Sequence, residues 1–317
     1  MLTANTTEKV RFQNNNLFSD MINGTLFHGS HMIDLIHLHS FDSNESTYID
    51  TFGIDRTRDV VKKYEDGYII LIGIENQSTV DETMPIRILD YDFINYMNQQ
   101  KIFSRDCLLI TKHNKECPGD KKKLPKLELC PVMSVVINYG ERRWNKSLTL
   151  KGMMKSIPKV FEEYINDWEI KVIDIIDVDY KKFENKDNRD LVLGIQRLYE
   201  SKGEVEVLEE IDMSYETAIE LFSVTGSKDM LEIVQGMKKE DYDMCTAMEI
   251  FKKRTEGIGF EKGKNAGIEK GRNEREIELV MNTYNHGMNI EDIVRYTNLN
   301  QEEIIRYLGV QNKDYIH

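Results

Sequence analysis

The chain is poor in the features that mark secreted, disulfide-linked and membrane proteins. Cysteine is scarce, with four residues in 317 and no Cys-x-x-Cys pair: Cys107, Cys117, Cys130 and Cys245. Such spacing predicts reduced thiols rather than disulfides or a zinc site. No apolar run approaches the roughly 20 residues of a membrane helix, and the first residues lack a signal-peptide core. We therefore expect a cytoplasmic protein that does not contact membranes.

Positive charge is also in deficit. The chain has 42 Lys and Arg against 55 Asp and Glu, for a net charge of −13. This balance argues against a simple nucleic-acid binder, because phosphate contacts require clustered cations. An enzyme acting on nucleic acid remains possible if its cations are local. The segment from Lys112 to Lys126 is such a cluster, which fits either a solvated surface loop or a loop that grips phosphate.

The most informative stretch runs from Arg58 to Tyr91. It predicts a strand, a tight turn, a second and almost wholly apolar strand, and a helix containing I-R-I-L-D-Y. Two acids, Asp59 and Glu75, belong to the two strands. Opposed residues of an antiparallel pair share a face, so these acids share one only if the loop has an odd number of residues.

A three-residue loop Glu65-Asp66-Gly67 satisfies this condition, with Gly67 in the left-handed position. It places Asp59 opposite Gly73 and diagonal to Glu75. Gln77 then lies on the same face, and Ile70, Ile72 and Ile74 lie on the other. Two carboxylates converging on an apolar strand pair repel each other unless a cation lies between them, which makes this a candidate metal site.

These residues carry a family resemblance. An acid, a hairpin turn and an apolar strand ending in Glu-x-Gln resemble the PD-(D/E)XK nuclease superfamily, with Gln77 in the Lys position. Six longer strings follow in order over about residues 11 to 250: L-F-S-D-M-I-N-G-T-L-F-H-G, R-D-V-V-K, G-I-E-N-Q-S, M-P-I-R-I-L-D-Y-D, V-V-I-N-Y-G-x-x-x-W and S-L-T-L-K-G-M-M. Together they resemble the recombination-promoting nuclease, or YhgA-like putative transposase, family of bacteria.

The resemblance implies a metal-dependent DNA endonuclease that cuts DNA to promote recombination. Asp59 and Glu75 would bind Mg²⁺ (or Mn²⁺ or Ca²⁺) with a strand carbonyl and waters, and Gln77 would orient the attacking water. Arg87, on one helix face with Tyr91, would hold a phosphate or else pair with Asp90 or Asp92. In this superfamily a first helix often adds an acid, and Asp20 is either that acid or a surface residue.

Two other functions remain open. A non-catalytic protein that keeps the fold to bind DNA or a partner is favoured by the net charge and by Gln77, and opposed by the two acids. A histidine metal site is the third reading, because His28, His31, His37 and His39 fall in one window around Asp34 with ligand-like spacings. The same segment is also typical of an ordinary amphipathic element with half-exposed histidines.

The element pattern predicts an α/β fold with a PD-(D/E)XK restriction-endonuclease-like core, a mixed sheet flanked by helices, and a helical C-terminal region. Helices are expected over 12–27 and 80–100, strands over 107–111, 131–139 and 169–176, and helices from about 179 with breaks near Gly203, Gly226 and Gly236. We expect a nuclease-like domain over 11–250, a glycine-repeat helical linker over 251–273, and a helix-turn-helix-like module over 274–310. The last helix of that module begins with N-Q-E-E, which is poor chemistry for contacting phosphates. We therefore favour an oligomerisation or interaction module, with a homo-oligomer formed through the C-terminal helices, over a DNA reader.

Overall fold

A computed structural model describes residues 10–40, 60–66 and 69–309, without the side chains of residues 69–71, 75, 258 and 259. The chain forms two compact units, Met1–Met248 and Glu249–His317. The described strands of the first unit form one sheet in the order β1 to β5: Leu38–Ser40, Val60–Glu65, Ile69–Gln77, Val132–Asn138 and Lys171–Asp174. No helix within the described ranges is long and apolar enough to cross a membrane.

The sheet is mixed. Strands β1, β2 and β3 pair antiparallel, whereas β3, β4 and β5 pair parallel. The second half of β4 is completely buried on both faces, from Val135 to Asn138. That burial explains its continuous apolar run, since a central parallel strand is covered by helices on both sides. The α/β class and the strands expected within 131–139 and 169–176 are confirmed.

The hairpin β2–β3 corrects the predicted register. Glu65 pairs with Ile69, so residues 66 to 68 lie between the strands, and Gly73 pairs with Val61 rather than with Asp59. The loop still has three residues but begins one residue later, which shifts the register by two positions and keeps the faces unchanged. Because the faces are unchanged, Tyr64, which is 1% exposed, still shares a face with the fully buried Ile72 and Ile74.

Helix α1 (Asn15–Thr25) packs on that face. Its N-terminus is capped by Asn14, whose side chain accepts a hydrogen bond from Asn16 N. The Lys62 ammonium donates to Gln13 O at 2.8 Å and to Asn15 Oδ1 at 2.9 Å, so a buried lysine joins the helix start to β2. Burial lowers the pKa of Lys62. The helix predicted over 12–27 is confirmed.

Helix α2 (Met84–Glu116) connects β3 to β4 and covers the opposite face of the sheet. Pro85 lies in its first turn, where a missing N–H costs nothing. The strand predicted over 107–111 is wrong, because these residues continue α2. Short apolar runs do not distinguish strand from helix, and Leu108 is 71% exposed on the helix surface.

Shorter helices complete the first unit. They are α3 (Lys159–Glu162), α4 (Lys186–Glu200), α5 (Tyr215–Val224) and α6 (Lys228–Gly236). The predicted breaks are found: Gly203 and Gly226 adopt φ of +91° and +70° after α4 and α5, a conformation that favours glycine. Asn185 caps α4 by accepting from two backbone amides, which fixes where this helix starts.

The second unit is a small helical module. Helix α7 (Met244–Asn285) contains the glycine repeat and runs into it, followed by α8 (Ile290–Thr297) and α9 (Gln301–Tyr307). Val280, Ile293 and Ile304 are fully buried together and form its core. Asn300 caps α9 in a capping box with Glu303, which fixes where this helix starts.

Candidate functional site

The candidate site lies on the sheet face covered by α2, which we call the α2 face. Alternation along β3 places Gly73, Glu75 and Gln77 on one face. Their partners on β4 are Ser134, Val136 and Asn138, and paired residues of parallel strands share a face. Val136 packs in one cluster with three buried residues of the first turns of α2: Met84, Ile88 and Tyr91. The start of α2 therefore lies over the strand segment that carries Glu75.

The two predicted acids are described to different extents. Asp59 lies outside the described residues. Glu75 is described by its backbone, which pairs with Val136 on β4. Val60, the residue after Asp59 in the sequence, pairs with Ile74, the residue before Glu75. The structure thus brings together the strand segments that adjoin the two acids.

A row of polar residues crosses the ends of the three parallel strands. Gln77 pairs with Asn138, and Asn138 pairs with Asp174 on β5. Asn138 Nδ2 donates to Asp174 Oδ1 at 2.6 Å and to Arg142 O at 2.9 Å. Asp174 Oδ1 also accepts from Trp144 N at 2.9 Å. Gln77, the predicted water-orienting residue, is half-buried at one end of this row.

Sequence reasoning missed Asn138 and Asp174 as members of this site. Asn138 belongs to the string V-V-I-N-Y-G-x-x-x-W, and two other positions of this string, Gly140 and Trp144, also make contacts here. Asn138 Oδ1 accepts from Gly140 N at 3.1 Å, and Trp144 packs against the α2 cluster. A polar residue directly after a buried parallel strand was the available signal, since carboxyl ends of parallel strands meet at one sheet edge.

Arg87 is held at the start of α2. Its Nη1 donates to Asp81 Oδ2 at 2.8 Å, and its Nη2 lies 3.4 Å from the Tyr91 hydroxyl, which confirms that Arg87 and Tyr91 share a face. The alternative partners predicted from the sequence are Asp90 and Asp92, and the ion pair that the structure gives for Arg87 is with Asp81. Burial favours the neutral carboxyl, yet hydrogen bonds from Arg87 and Thr83 outweigh it and hold the pKa of Asp81 below its ordinary value.

Asp20 lies away from the α2 face. It belongs to α1, on the other side of the sheet, and is 9% exposed. One carboxylate oxygen accepts from Glu184 N and the other from Asn188 Nδ2, both at 2.8 Å. These bonds tie α1 to the start of α4, so the structure gives Asp20 a structural contact and does not bring it to Glu75.

The histidine window does not converge on one point. His31 faces Glu184 at 3.0 Å, His37 faces Asp66 at 4.0 Å, and His39 faces Glu65 at 3.6 Å. Within the described part of the chain, no three His, Cys, Asp or Glu residues are grouped as a metal site requires. The candidate ligands that remain are the carboxylates of Asp59 and Glu75, and an all-oxygen set of this kind suits Mg²⁺.

Comparison with known proteins identifies a family for this chain. The family model described as "Putative transposase, YhgA-like" matches residues 29–221, more than half of the chain. The matched range contains the whole described sheet and α2. No curated protein and no solved structure matches the chain.

Proposed function

Because the chain belongs to the YhgA-like putative transposase family, we propose that it is an enzyme that hydrolyses phosphodiester bonds of DNA with a divalent metal ion. The proposed core is of the PD-(D/E)XK type, with the reacting groups on the α2 face. Asp59 and Glu75 are the proposed metal ligands. Gln77 is the proposed water-orienting residue, and Arg87 the proposed phosphate contact.

The observation that carries this proposal is the pairing around Glu75. Val60 of β2 pairs with Ile74 of β3, and Val136 of β4 pairs with Glu75 of β3. The residues next to the two acids therefore lie together at the middle of the sheet. An acid in the sequence of such an apolar strand pair favours a cation as its partner, because burying an unpaired carboxylate is costly. Asp59, the sequence neighbour of Val60, is the acid proposed to share that cation.

The chemistry follows from oxygen ligands. Mg²⁺ bound by the two carboxylates would lower the pKa of a coordinated water and polarise the scissile phosphate. Gln77 can accept from or donate to the attacking water, but it adds no positive charge. Arg87 supplies that charge at the start of α2, where Asp81 and Tyr91 fix the direction of its guanidinium. A planar guanidinium can contact Asp81 and a phosphate oxygen with different N–H groups.

The test is nicking of supercoiled plasmid by the purified full chain with Mg²⁺, Mn²⁺, Ca²⁺ or EDTA. We expect cutting that requires metal and falls by more than about 100-fold in Asp59→Asn and in Glu75→Gln, since even outer-shell partners of metal ligands cost about 10- to 100-fold. The matched control is Glu65→Gln, which removes one acid from β2 of the same hairpin. This half-buried side chain pairs with Lys63 and His39, and its loss should leave cutting unchanged.

The second candidate is a non-catalytic DNA-binding protein, favoured by the glutamine at position 77 and by the engagement of Arg87 with Asp81. Cutting that survives both Asp59→Asn and Glu75→Gln would place the activity elsewhere or in a contaminant. Binding of DNA without cutting under any metal condition would establish the second candidate instead.

A further inference from the structure

The C-terminal end of α2 and the chain after it form a basic hairpin, residues 112–126, which we call the lysine hairpin. It contains six lysines: Lys112, Lys115, Lys121, Lys122, Lys123 and Lys126. Glu116 and Asp120 are its two acids, so its formal charge is six minus two, or +4, in a chain of −13. Apart from the half-buried His113 and Asn114, all of its residues are exposed.

Hydrogen bonds hold the lysine hairpin in one conformation. Asn114 Nδ2 donates to Lys122 O at 2.8 Å, and Lys122 N donates to Asn114 Oδ1 at 2.7 Å. His113 Nε2 lies 2.9 Å from Asp120 O. Further back, Gln99 makes the same two-way contact with the backbone of Cys130, at 3.1 and 2.7 Å. The returning chain therefore runs beside α2, and its lysines have a fixed backbone.

Most lysines of this hairpin have no carboxylate partner in the described part of the chain, although the protein is acidic. Lys112 approaches Glu116 at 3.9 Å, whereas the other five form no ion pair with any described residue. Elsewhere lysines find acids at short range, as Lys171 does with Glu169 at 2.6 Å and Lys186 with Asp190 at 2.7 Å. A fixed cluster of unpaired cations attracts a polyanion, because each phosphate contact releases counterions.

Helix α2 sets the distance from this hairpin to the candidate site. Arg87 lies at its start and Lys112 near its end, and 25 residues at about 1.5 Å per residue span about 38 Å. Duplex DNA rises about 34 to 36 Å per helical turn. A duplex lying along α2 therefore presents the same side of its backbone at both ends of the helix.

We propose that the lysine hairpin binds backbone phosphates of duplex DNA about one helical turn from the bond that is cut beside Glu75, an inference that rests on the function proposed above. The hairpin adds affinity without reading sequence, since lysine–phosphate contacts carry no base information. It also sets a minimum length of duplex that benefits from both contacts.

An anionic lipid surface is the rival occupant, because leucines are exposed nearby, among them Leu124 and Leu127. The tip of the hairpin argues against it. Residues 117–123 read C-P-G-D-K-K-K and contain no large apolar side chain that could enter a bilayer. Membrane-surface segments combine cations with apolar groups that insert.

The binding test compares two triple variants of the full chain in EDTA, using fluorescence anisotropy on a duplex of about 25 base pairs across a salt series. The hairpin variant carries Lys121→Gln, Lys122→Gln and Lys123→Gln. Its plot of log binding constant against log salt should have a slope that is less negative by about 2 to 3, at about 0.9 per lost phosphate contact. The control removes the same charge from α7 with Lys262→Gln, Lys264→Gln and Lys270→Gln, and should leave the slope unchanged. Equal slopes for both variants, or binding to anionic vesicles in place of DNA, would overturn the proposal.

The spacing test compares kcat/KM for cutting duplexes of about 8 and about 25 base pairs, only the longer of which spans more than one turn. The hairpin variant should be slower than the parent on the long duplex and equal to it on the short one. An equal defect on both lengths would overturn the spacing. If no duplex is cut at all, the proposed function and the spacing both fail, while the salt series still decides whether the hairpin is a DNA surface.

Discussion

At the scale of single residues, the most consequential contact outside the candidate site is a buried ion pair. Arg11 Nη1 lies 2.7 Å from Glu220 Oε2, and the two side chains are 6% and 1% exposed. Arg11 also donates to Asn188 Oδ1 at 3.0 Å, which joins the chain before α1 to α4 and α5. Burial raises the pKa of Glu220, and the Arg11 guanidinium opposes that rise.

We predict that Arg11→Met destabilises the first unit by about 3 to 5 kcal/mol, because it leaves a buried carboxylate without its cation. The folded-state pKa of Glu220 is raised, so its proton is bound more tightly in the folded than in the unfolded state. Stability therefore falls as the pH rises above the ordinary carboxyl value of 4.5. The variant's deficit should be larger at pH 8 than at pH 5, measured by urea unfolding.

The control for this pH dependence is the double variant Arg11→Met with Glu220→Gln. Its deficit relative to the parent should vary less with pH, because the titrating group is gone. A deficit in Arg11→Met that is the same at both pH values would show that Glu220 is not the residue responsible.

At the scale of elements, helix α7 shows what the glycine repeat does. Gly263, Gly267 and Gly271 lie in its helical interior, and a Cβ added at any of them would meet nothing within 4 Å. Glycine costs a helix interior about 1 kcal/mol relative to alanine. These glycines therefore weaken α7 without a packing reason inside the described chain.

We predict that replacing these three glycines with alanine stabilises α7 by about 2 to 3 kcal/mol in total, raising the thermal midpoint followed by helical circular dichroism. The matched control is Gly24→Ala in α1, where the new Cβ would overlap the buried Phe183 ring and should destabilise. If the three alanines instead lowered both stability and self-association in sedimentation, the repeat would be a close helix contact between copies.

At the scale of the whole molecule, the two units have separate cores. The second unit is held by three fully buried residues, Val280, Ile293 and Ile304, with partly buried neighbours drawn from residues 290–308. The cluster under α2 draws its residues from 84–172 alone. A small core supplies little stability, so the two units should unfold in separate steps.

We predict two thermal transitions in calorimetry, the lower one belonging to the second unit. Ile293→Ala removes a fully buried side chain and should lower that transition alone, at a cost of about 2 to 5 kcal/mol. Ile195→Ala, a fully buried position of α4, is the converse control and should lower the upper transition. A single transition that both variants shift equally would show that the units unfold together.

The sequence by itself determined the elements whose causes are local. Alternating and continuous apolar runs located β2, β3 and β4. The glycines at 203 and 226 marked helix ends, because a positive φ depends on a single residue. The α/β class followed from the order of these elements. The candidate acids Asp59 and Glu75 also came from the sequence, and their role remains a prediction.

Only the tertiary structure decided what depends on distant partners. The hairpin register differs from the predicted one by two positions, a difference that side-chain alternation does not detect because it keeps every residue on the same face. Residues 107–111 continue α2, because a short apolar run fits a helix as well as a strand and the sequence pattern alone does not decide between them. Asp174 contacts Asn138 because β4 and β5, which are separated by more than thirty residues in the sequence, pair in parallel. Local pattern carries no information about such partners, since it is burial of one surface against another that selects them.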